Sequence, residues 1–297
     1  MKVAIVGATG LIGRRLVEAL LGRGWDVVPV SRKGEDIAGT PGVRWDPAVG
    51  DAVPAELLAA DAVVNLAGAG IGDARWTDAR KRLIRDSRVD TTRALVAALG
   101  DGGPRVLVNG SAIGFYGTGE ETRTEASPAG GDFLAETCVA WEAEALAAEA
   151  KGVRVVLLRT GIVMAAEGGA LKKQLPLFKA GVGGPLGGGR QWQSWVHIGD
   201  VTGLIAHAVE HDAVTGPLNA TAPEPVRQKD FARTLGRVLG RPAFLPTPGI
   251  ALKLALGEMS TLALDGQRVE PAAALASGYG FRFTELEPAL RDVLSRD

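Results

Sequence analysis

A single cysteine, Cys138, stands among 297 residues, which excludes an internal disulfide and any cysteine-based metal cluster. Histidine is nearly as scarce. His197, His207 and His211 are too few for a histidine-rich centre, and no metal site is expected. Charge of either sign is not in excess, and a net charge of −1 gives no bulk attraction to nucleic acid or anionic lipid. No apolar run approaches the roughly 20 residues that cross a bilayer. No charged leader with an apolar stretch and cleavage site precedes the first strand-like run, so a cytoplasmic protein is expected. What remains is 46% hydrophobic and 23% charged, ordinary for a soluble globular chain with one large α/β domain, alone or with a smaller one.

Glycine, by contrast, is abundant at 41 residues, and its placement carries information at the start. The opening "MKVAIVGATGLIGRRLVEALLGRGWDVVPVSRKGE" runs an apolar strand into Gly7, Gly10 and Gly13. A helical stretch follows with Ile12, Leu16 and Leu20 on one face, then a second apolar strand. Strand, glycines and helix in that order suit a dinucleotide cradle. Gly7 allows the tight turn, Gly10 lets backbone approach a pyrophosphate, and Gly13 permits close packing of helix on sheet. The loop and first turn, including Thr9, Leu11 and Ile12, then face the phosphates with free N–H groups and the positive end of the helix dipole. An NAD site usually ends the second strand with Asp or Glu, but this chain has Ser31-Arg32-Lys33. Arginine binds a 2′-phosphate that a carboxylate would repel, so NADP(H) is preferred over NAD(H), with Glu35 and Asp36 still within reach of a ribose.

The same alternation continues. Runs at 2–8, 26–30, 62–68, 105–111 and 153–159 are short and valine-rich, as in strands buried on both faces. Amphipathic stretches at 11–23, 77–99 and 133–150 lie between them, and this rhythm predicts a doubly wound parallel sheet. Pro29 should bulge the second strand or end it early, because proline cannot donate to a ladder. Residues 165–195 form a glycine-rich loop region with a short helix, near a binding site. The division expected is a nucleotide-binding domain over 1–215 and a small, mostly helical domain over 216–297 that covers the site.

Three further stretches, "NLAG" (65–68), "GSAIGFYG" (110–117) and "LRTGIV" (158–163), resemble the extended short-chain dehydrogenase/reductase superfamily. "GATGLIG", "RW…SRVDTT", "GDF…WE", "GGPLGGGRQ", "SWVHIGDV", "GPLNATAP" and "GQRVEP…GYGFRF" narrow the resemblance to one atypical branch. That branch is the sugar-epimerase-like family of the human short-chain dehydrogenase/reductase 39U type and its bacterial counterparts. The resemblance covers essentially the whole chain. It implies a Rossmann domain, bound NADP(H) and a small C-terminal helical domain over the site. Position by position, it places Ser31 and Arg32 at the adenosine phosphate, and Leu66, Ala67 and Gly68 in the turn beneath adenine and ribose. Arg88 takes a basic position near the dinucleotide, and Val163 presents backbone near the nicotinamide. Arg88 also reads as one of several solvated charges beside Arg80, Lys81, Arg82 and Arg85.

Typical members use a Tyr-x-x-x-Lys pair in which lysine lowers the tyrosine pKa and tyrosine shuttles a proton. Here the corresponding helix, "GDFLAETCVAWEAEALAAEAKG", has no tyrosine, and no lysine before Lys151. Leu134 and Cys138 occupy the two places, and Cys138 reads as a small buried hydrophobe rather than a nucleophile. Ser111 and Tyr116 are the candidate catalytic residues, Ser111 to hydrogen-bond a substrate carbonyl and Tyr116 as an acid. Either also reads as structural, a strand-ending polar group and a packed ring. Asp200 in "SWVHIGDV" should N-cap the next helix. His207 and His211 read as an exposed pair near its end. Arg190 and Gln191 would be ligand-facing, with Trp192 and Trp195 lining a pocket or filling core; no Walker sequence follows the glycines.

Two functions fit. One is an NADP-dependent oxidoreductase or epimerase-like enzyme on a small polar substrate such as a sugar derivative; the other is a protein that senses or sequesters NADP(H) without turnover. Nucleic acid and membrane are not expected partners. The chain would be a monomer, or a homodimer through the 77–99 and 133–150 helices.

Overall fold

Val3–Val6, Val27–Ser31 and Ala62–Asn65 are buried at every residue, the burial of strands covered on both faces. In the computed structural model, which describes residues 1–100 and 102–295, seven runs form one sheet. They are β1 (Lys2–Val6), β2 (Asp26–Ser31), β3 (Val43–Arg44), β4 (Ala62–Asn65), β5 (Val106–Ala112), β6 (Arg154–Thr160) and β7 (Gly216–Ala220). All pair in parallel in the order β7-β6-β5-β4-β1-β2-β3. The order reverses between β1 and β4, which opens a crevice at their carboxyl ends, where ligands bind in such sheets.

Two expectations about strands need correction. Pro29 neither bulges β2 nor ends it; it sits in register opposite Ile5. Val30 O accepts from Gly7 and Ala8, so Val30 faces β1 and Pro29 presents its nitrogen to the other side. There β3 begins pairing only at Val30, and no ladder bond is lost at Pro29. The tail after 215 does not start as helix either. Gly216–Ala220 is the outer strand of the main sheet, a five-residue edge whose Gly-Pro start masks its strand pattern.

The long helices are α1 (Leu11–Leu21), α2 (Asp78–Ala98), α3 (Phe133–Leu146), α4 (Gly169–Lys179), α5 (Ile198–Glu210), α6 (Gln228–Leu239), α7 (Gly249–Leu256) and α8 (Leu286–Leu294). Helices α1 and α5 cover one sheet face, packing Leu16, Leu20, Leu204 and Ile205 against Val3, Ile5 and Val64. On the other face α2 and α3 pack Leu95, Val96 and Ala145 against Ala4 and Val63. A third apolar cluster joins α4, α6 and α8 around Trp195, Phe231 and Leu290, burying Trp195 in core.

Asp200 does not cap α5. The cap is His197, whose Nδ1 accepts from Gly199 N at 3.0 Å. Asp200 lies inside the first turn and accepts from Arg282 N at 2.7 Å and Phe283 N at 3.1 Å. Burial nevertheless raises its pKa, against those bonds. The same segment is held by Ser194, whose Oγ donates to Gln267 O at 2.8 Å and accepts from Val269 N at 2.9 Å.

Candidate functional site

Gly7 turns the chain out of β1 with φ +80°, a left-handed conformation that L side chains rarely adopt. A Cβ there would lie 2.8 Å from Leu66 C, and one at Gly13 would lie 2.7 Å from Ala8 Cα. Both glycines are therefore required by close backbone approach. Gly10 caps α1 without a side-chain bond, and the first turn holds no acidic residue. The first helical bond runs from Arg14 N to Gly10 O, which leaves the amides of Leu11, Ile12 and Gly13 without helical acceptors. A bare helix N-terminus at the sheet's switch point is an anion cradle. Thr9 completes the loop, and its carbonyl accepts from Arg14 Nε at 3.1 Å.

At the end of β2, Ser31 Oγ accepts from Gly34 N at 3.0 Å, so the hydroxyl braces the following turn. Arg32 next to it is exposed and, among the described residues, has no hydrogen-bond or ion-pair partner. The nearby acids are engaged. Glu35 lies 3.8 Å from Arg14 Nη2, and Asp36 Oδ1 accepts from Gly42 N at 3.0 Å.

The turn after β4 closes the crevice from the other side. Leu66 N donates to Val6 O at 2.8 Å, Ala67 N to Asn65 Oδ1 at 3.3 Å, and a Cβ on Gly68 would meet Arg88 Cζ at 2.8 Å. Arg88 is not a solvated charge. Its Nη1 donates to Ala69 O at 2.9 Å and Ile84 O at 2.8 Å, its guanidinium lies 5.2 Å from the Trp141 ring, and burial lowers its pKa. Val163, in a short strand pair with Val196, sits below a loop in which Gly168 abuts the Leu11 side chain. Arg15 clasps Glu167 of that loop at 2.6 Å. Loops after β1, β4 and β6 thus meet at the carboxyl edge of the sheet.

Ser111 and Tyr116 belong to one buried network. Ser111 Oγ donates to Glu142 Oε1 at 2.6 Å, and Arg159 grips the same carboxylate with Nε and Nη2, each at 2.8 Å. Arg159 Nη1 donates to Tyr116 Oη at 2.9 Å, and that hydroxyl donates onward to Asn219 Oδ1 at 2.7 Å. The Phe115 ring stacks on the guanidinium at 3.4 Å. Burial pulls the Arg159 pKa down, but its bonds to Glu142 and Tyr116 outweigh this and leave it raised. Burial lifts Tyr116 above its ordinary value, Arg159 opposing, so the phenol stays neutral. Glu142, Arg159 and Asn219 were not singled out from sequence. The available signal was charge in apolar surroundings, Arg159 within "VVLLRT" and Glu142 within "VAWEAEAL", because buried charges demand partners.

Cys138 lies beside this network, Sγ 3.8 Å from Ala112 O, and burial pushes its thiol up to about 11. Gln191 does not face a ligand; its Nε2 donates to Leu186 O and Ala263 O. Arg190 is exposed. Trp192 is half-buried under Arg227, 3.7 Å away. His207 Nε2 lies 3.0 Å from Ser277 Oγ and is partly buried, so only His211 is exposed. No group of metal-binding side chains occurs among the described residues.

The sequence and fold of this chain are similar to those of known proteins. The model of the NAD dependent epimerase/dehydratase family matches residues 3–220, and one described as a domain of unknown function matches 247–293. The chain is 40% identical to the chloroplastic SDR39U1 homolog of Arabidopsis thaliana, over 99% of this chain and 87% of that one. It is 40% identical to the epimerase family protein YfhF of Bacillus subtilis, over 99% and 98%. The crystal structure of human epimerase family protein SDR39U1 with NADPH superposes with a TM-score of 0.90 at 35% identity, covering 99% of both chains. The chain belongs to the NAD dependent epimerase/dehydratase family, among the epimerase family proteins of SDR39U1 type.

Proposed function

We propose that this chain binds NADP(H) along the groove from Gly7 to Gly68. On that reading it is an oxidoreductase of epimerase type acting on a small, sugar-like substrate. The observation that carries this reading is Arg32, an unpartnered cation at the end of β2 beside a bare helix N-terminus, with Glu35 and Asp36 both engaged elsewhere. The glycines fit the group as well, since a Cβ at Gly7 or Gly13 would strike backbone and close the cradle. NADPH in the human relative agrees. In this reading the amides of Leu11, Ile12 and Gly13 hold the pyrophosphate, Arg32 the 2′-phosphate, and Leu66, Ala67 and Gly68 the adenosine side. Arg88 lies near the dinucleotide, and Val163 flanks the nicotinamide half. Residues 1–215, with β7, carry the nucleotide, and the rest covers the substrate side. The nicotinamide, when bound, supplies a hydride acceptor or donor.

Proton handling cannot follow the Tyr-x-x-x-Lys scheme, because α3 contains neither residue. Ser111 has its proton committed to Glu142, so it offers lone pairs rather than a donor to the substrate. That suits a substrate hydroxyl better than a carbonyl. A neutral Tyr116 with both its roles filled is a poor base.

The same network favours a second reading, an NADP(H) sensor without turnover. Incubating the NADP+ and NADPH complexes with panels of sugar-like alcohols and carbonyls, while following cofactor absorbance, separates the two. The enzyme reading expects a change with at least one alcohol. Tight binding with no change in absorbance and no epimerised product anywhere in the panels supports the sensor. Cytoplasmic placement is part of the proposal, supported by a free, buried Cys138; the Arabidopsis relative is chloroplastic.

A further inference from the structure

The near-zero net charge conceals a strong segregation. Residues 168–190 carry Lys172, Lys173, Lys179 and Arg190 and no acid. Residues 228–257 carry Lys229, Arg233, Arg237, Arg241 and Lys253 against Asp230 alone. These segments therefore hold nine cations and one anion, while the whole chain sums to −1. Not all are free: Arg233 pairs with Asp230, Arg237 with Glu287, Lys173 donates to Gly72 O, and Lys179 is engaged as well.

The two segments lie against each other. Gly184 abuts the Leu245 backbone, Gly181 lies against Pro242, and Leu186 bridges to Thr247. Between them Lys229, Arg233 and Arg241 line a cavity of about 400 Å3 with Phe244 at its wall. Phe244 and the helix that follows it carry large apolar side chains with no cover: Phe244 is 74% exposed, Ile250 76% and Leu254 75%. Leu177, Val182 and Leu245, on the same two segments, are exposed as well. Helix α7, "GIALKLAL", buries no residue at all, so it lies on the surface as an apolar helix with one lysine.

We propose that this face docks on an anionic phospholipid membrane, with a lipid phosphate in the Lys229–Arg233–Arg241 cavity and Phe244, Ile250 and Leu254 in the headgroup–acyl boundary. Cations interspersed with exposed apolar side chains are the composition of an interfacial anchor. A second copy of this face would bring like charges together, which disfavours a symmetric dimer through it. A free phosphate would use the cavity but leave the three apolar side chains without a role.

The test is co-sedimentation of the full-length, NADPH-saturated protein with vesicles of phosphatidylcholine alone or mixed with phosphatidylglycerol. Binding is expected only to the mixed vesicles and should fade as salt is raised. The variants Phe244→Ser/Ile250→Ser/Leu254→Ser and Lys229→Glu/Arg241→Glu should each weaken it roughly tenfold or more. Neither should shift the melting temperature or NADPH affinity, because all five side chains are on the surface. No binding to mixed vesicles at low salt overturns the proposal, as does binding that survives the apolar variant. Displacement by inorganic phosphate at constant ionic strength would instead identify a free-anion site, and binding equal on both vesicle types would remove the charge argument; either outcome is fatal.

Discussion

Arg32 and Cys138 are single side chains whose surroundings decide their chemistry in opposite directions. Arg32 stands exposed and unpartnered, free to meet a phosphate. A charge-assisted bidentate bond contributes about 1.5–3 kcal/mol, so Arg32→Ala should weaken NADPH by roughly 10–100-fold and NADH far less. Parallel fluorescence titrations measure both, and equal loss for the two nucleotides refutes the assignment. Cys138 is buried, and its pKa rises from 9.0 to about 11. The folded state therefore keeps a proton that the unfolded chain releases. Stability is untouched below about pH 9 and declines as pH climbs toward 11, relative to a chain lacking this thiol. Urea midpoints of the native protein should fall against those of Cys138→Ala over that interval; parallel profiles would remove the effect. Gly7 and Gly13 were legible in the sequence because the close backbone approach they permit belongs to a local strand–turn–helix pattern, and Arg32 was read from its end-of-strand position. Ser111 was singled out but its partner was not, since Glu142 is 31 residues away and only the fold brings them together.

Elements show the same division. The valine runs announce β1, β4, β5 and β6 because burial on both faces leaves no room for alternation. Edges are harder. Short β7 carries only half of that signal, and Pro29 misleads because which side of β2 has a partner depends on where β3 begins. Capping misleads for a related reason. Asp is a strong cap former, yet Asp200 is taken by amides 82 and 83 residues away and the cap passes to His197. Between elements, Glu142 on α3 and Arg159 on β6 form a pair buried to 6% and 4% side-chain exposure. Arg159→Met strands a buried carboxylate and should cost about 3–5 kcal/mol in urea unfolding. Adding Glu142→Met should recover most of that loss. A double variant no better than the single one would show that the pair does more than neutralise charge. On α1, Gly13→Ala forces a Cβ against Ala8, so it should abolish nucleotide binding or lower the melting temperature by several degrees.

At the scale of the molecule, the tail after residue 246 closes hydrogen bonds that the sheet-bearing part opens. Asp200 accepts from Arg282 and Phe283, Ser194 bonds Gln267 and Val269, and Asn219 Nδ2 donates to Glu270 O at 3.0 Å. Removing residues 247–295 would leave these buried groups unsatisfied at about 1–3 kcal/mol each, several of them at once. The truncated chain should aggregate or lose its cooperative thermal transition, and a soluble truncation with an unchanged melting temperature would contradict this. The doubly wound order was legible as a rhythm of strands and helices, but this interlocking was not, because every tie spans tens of residues.

The central claim is that the groove between the first glycine turn and Leu66–Gly68 holds a 2′-phosphorylated nicotinamide nucleotide. Calorimetric titration of the purified protein with NADPH, and separately with NADH, tests it most directly. One NADPH should bind per chain, with affinity for NADH weaker by roughly tenfold or more. Heats of dilution alone for both nucleotides, or indistinguishable affinities, would contradict it.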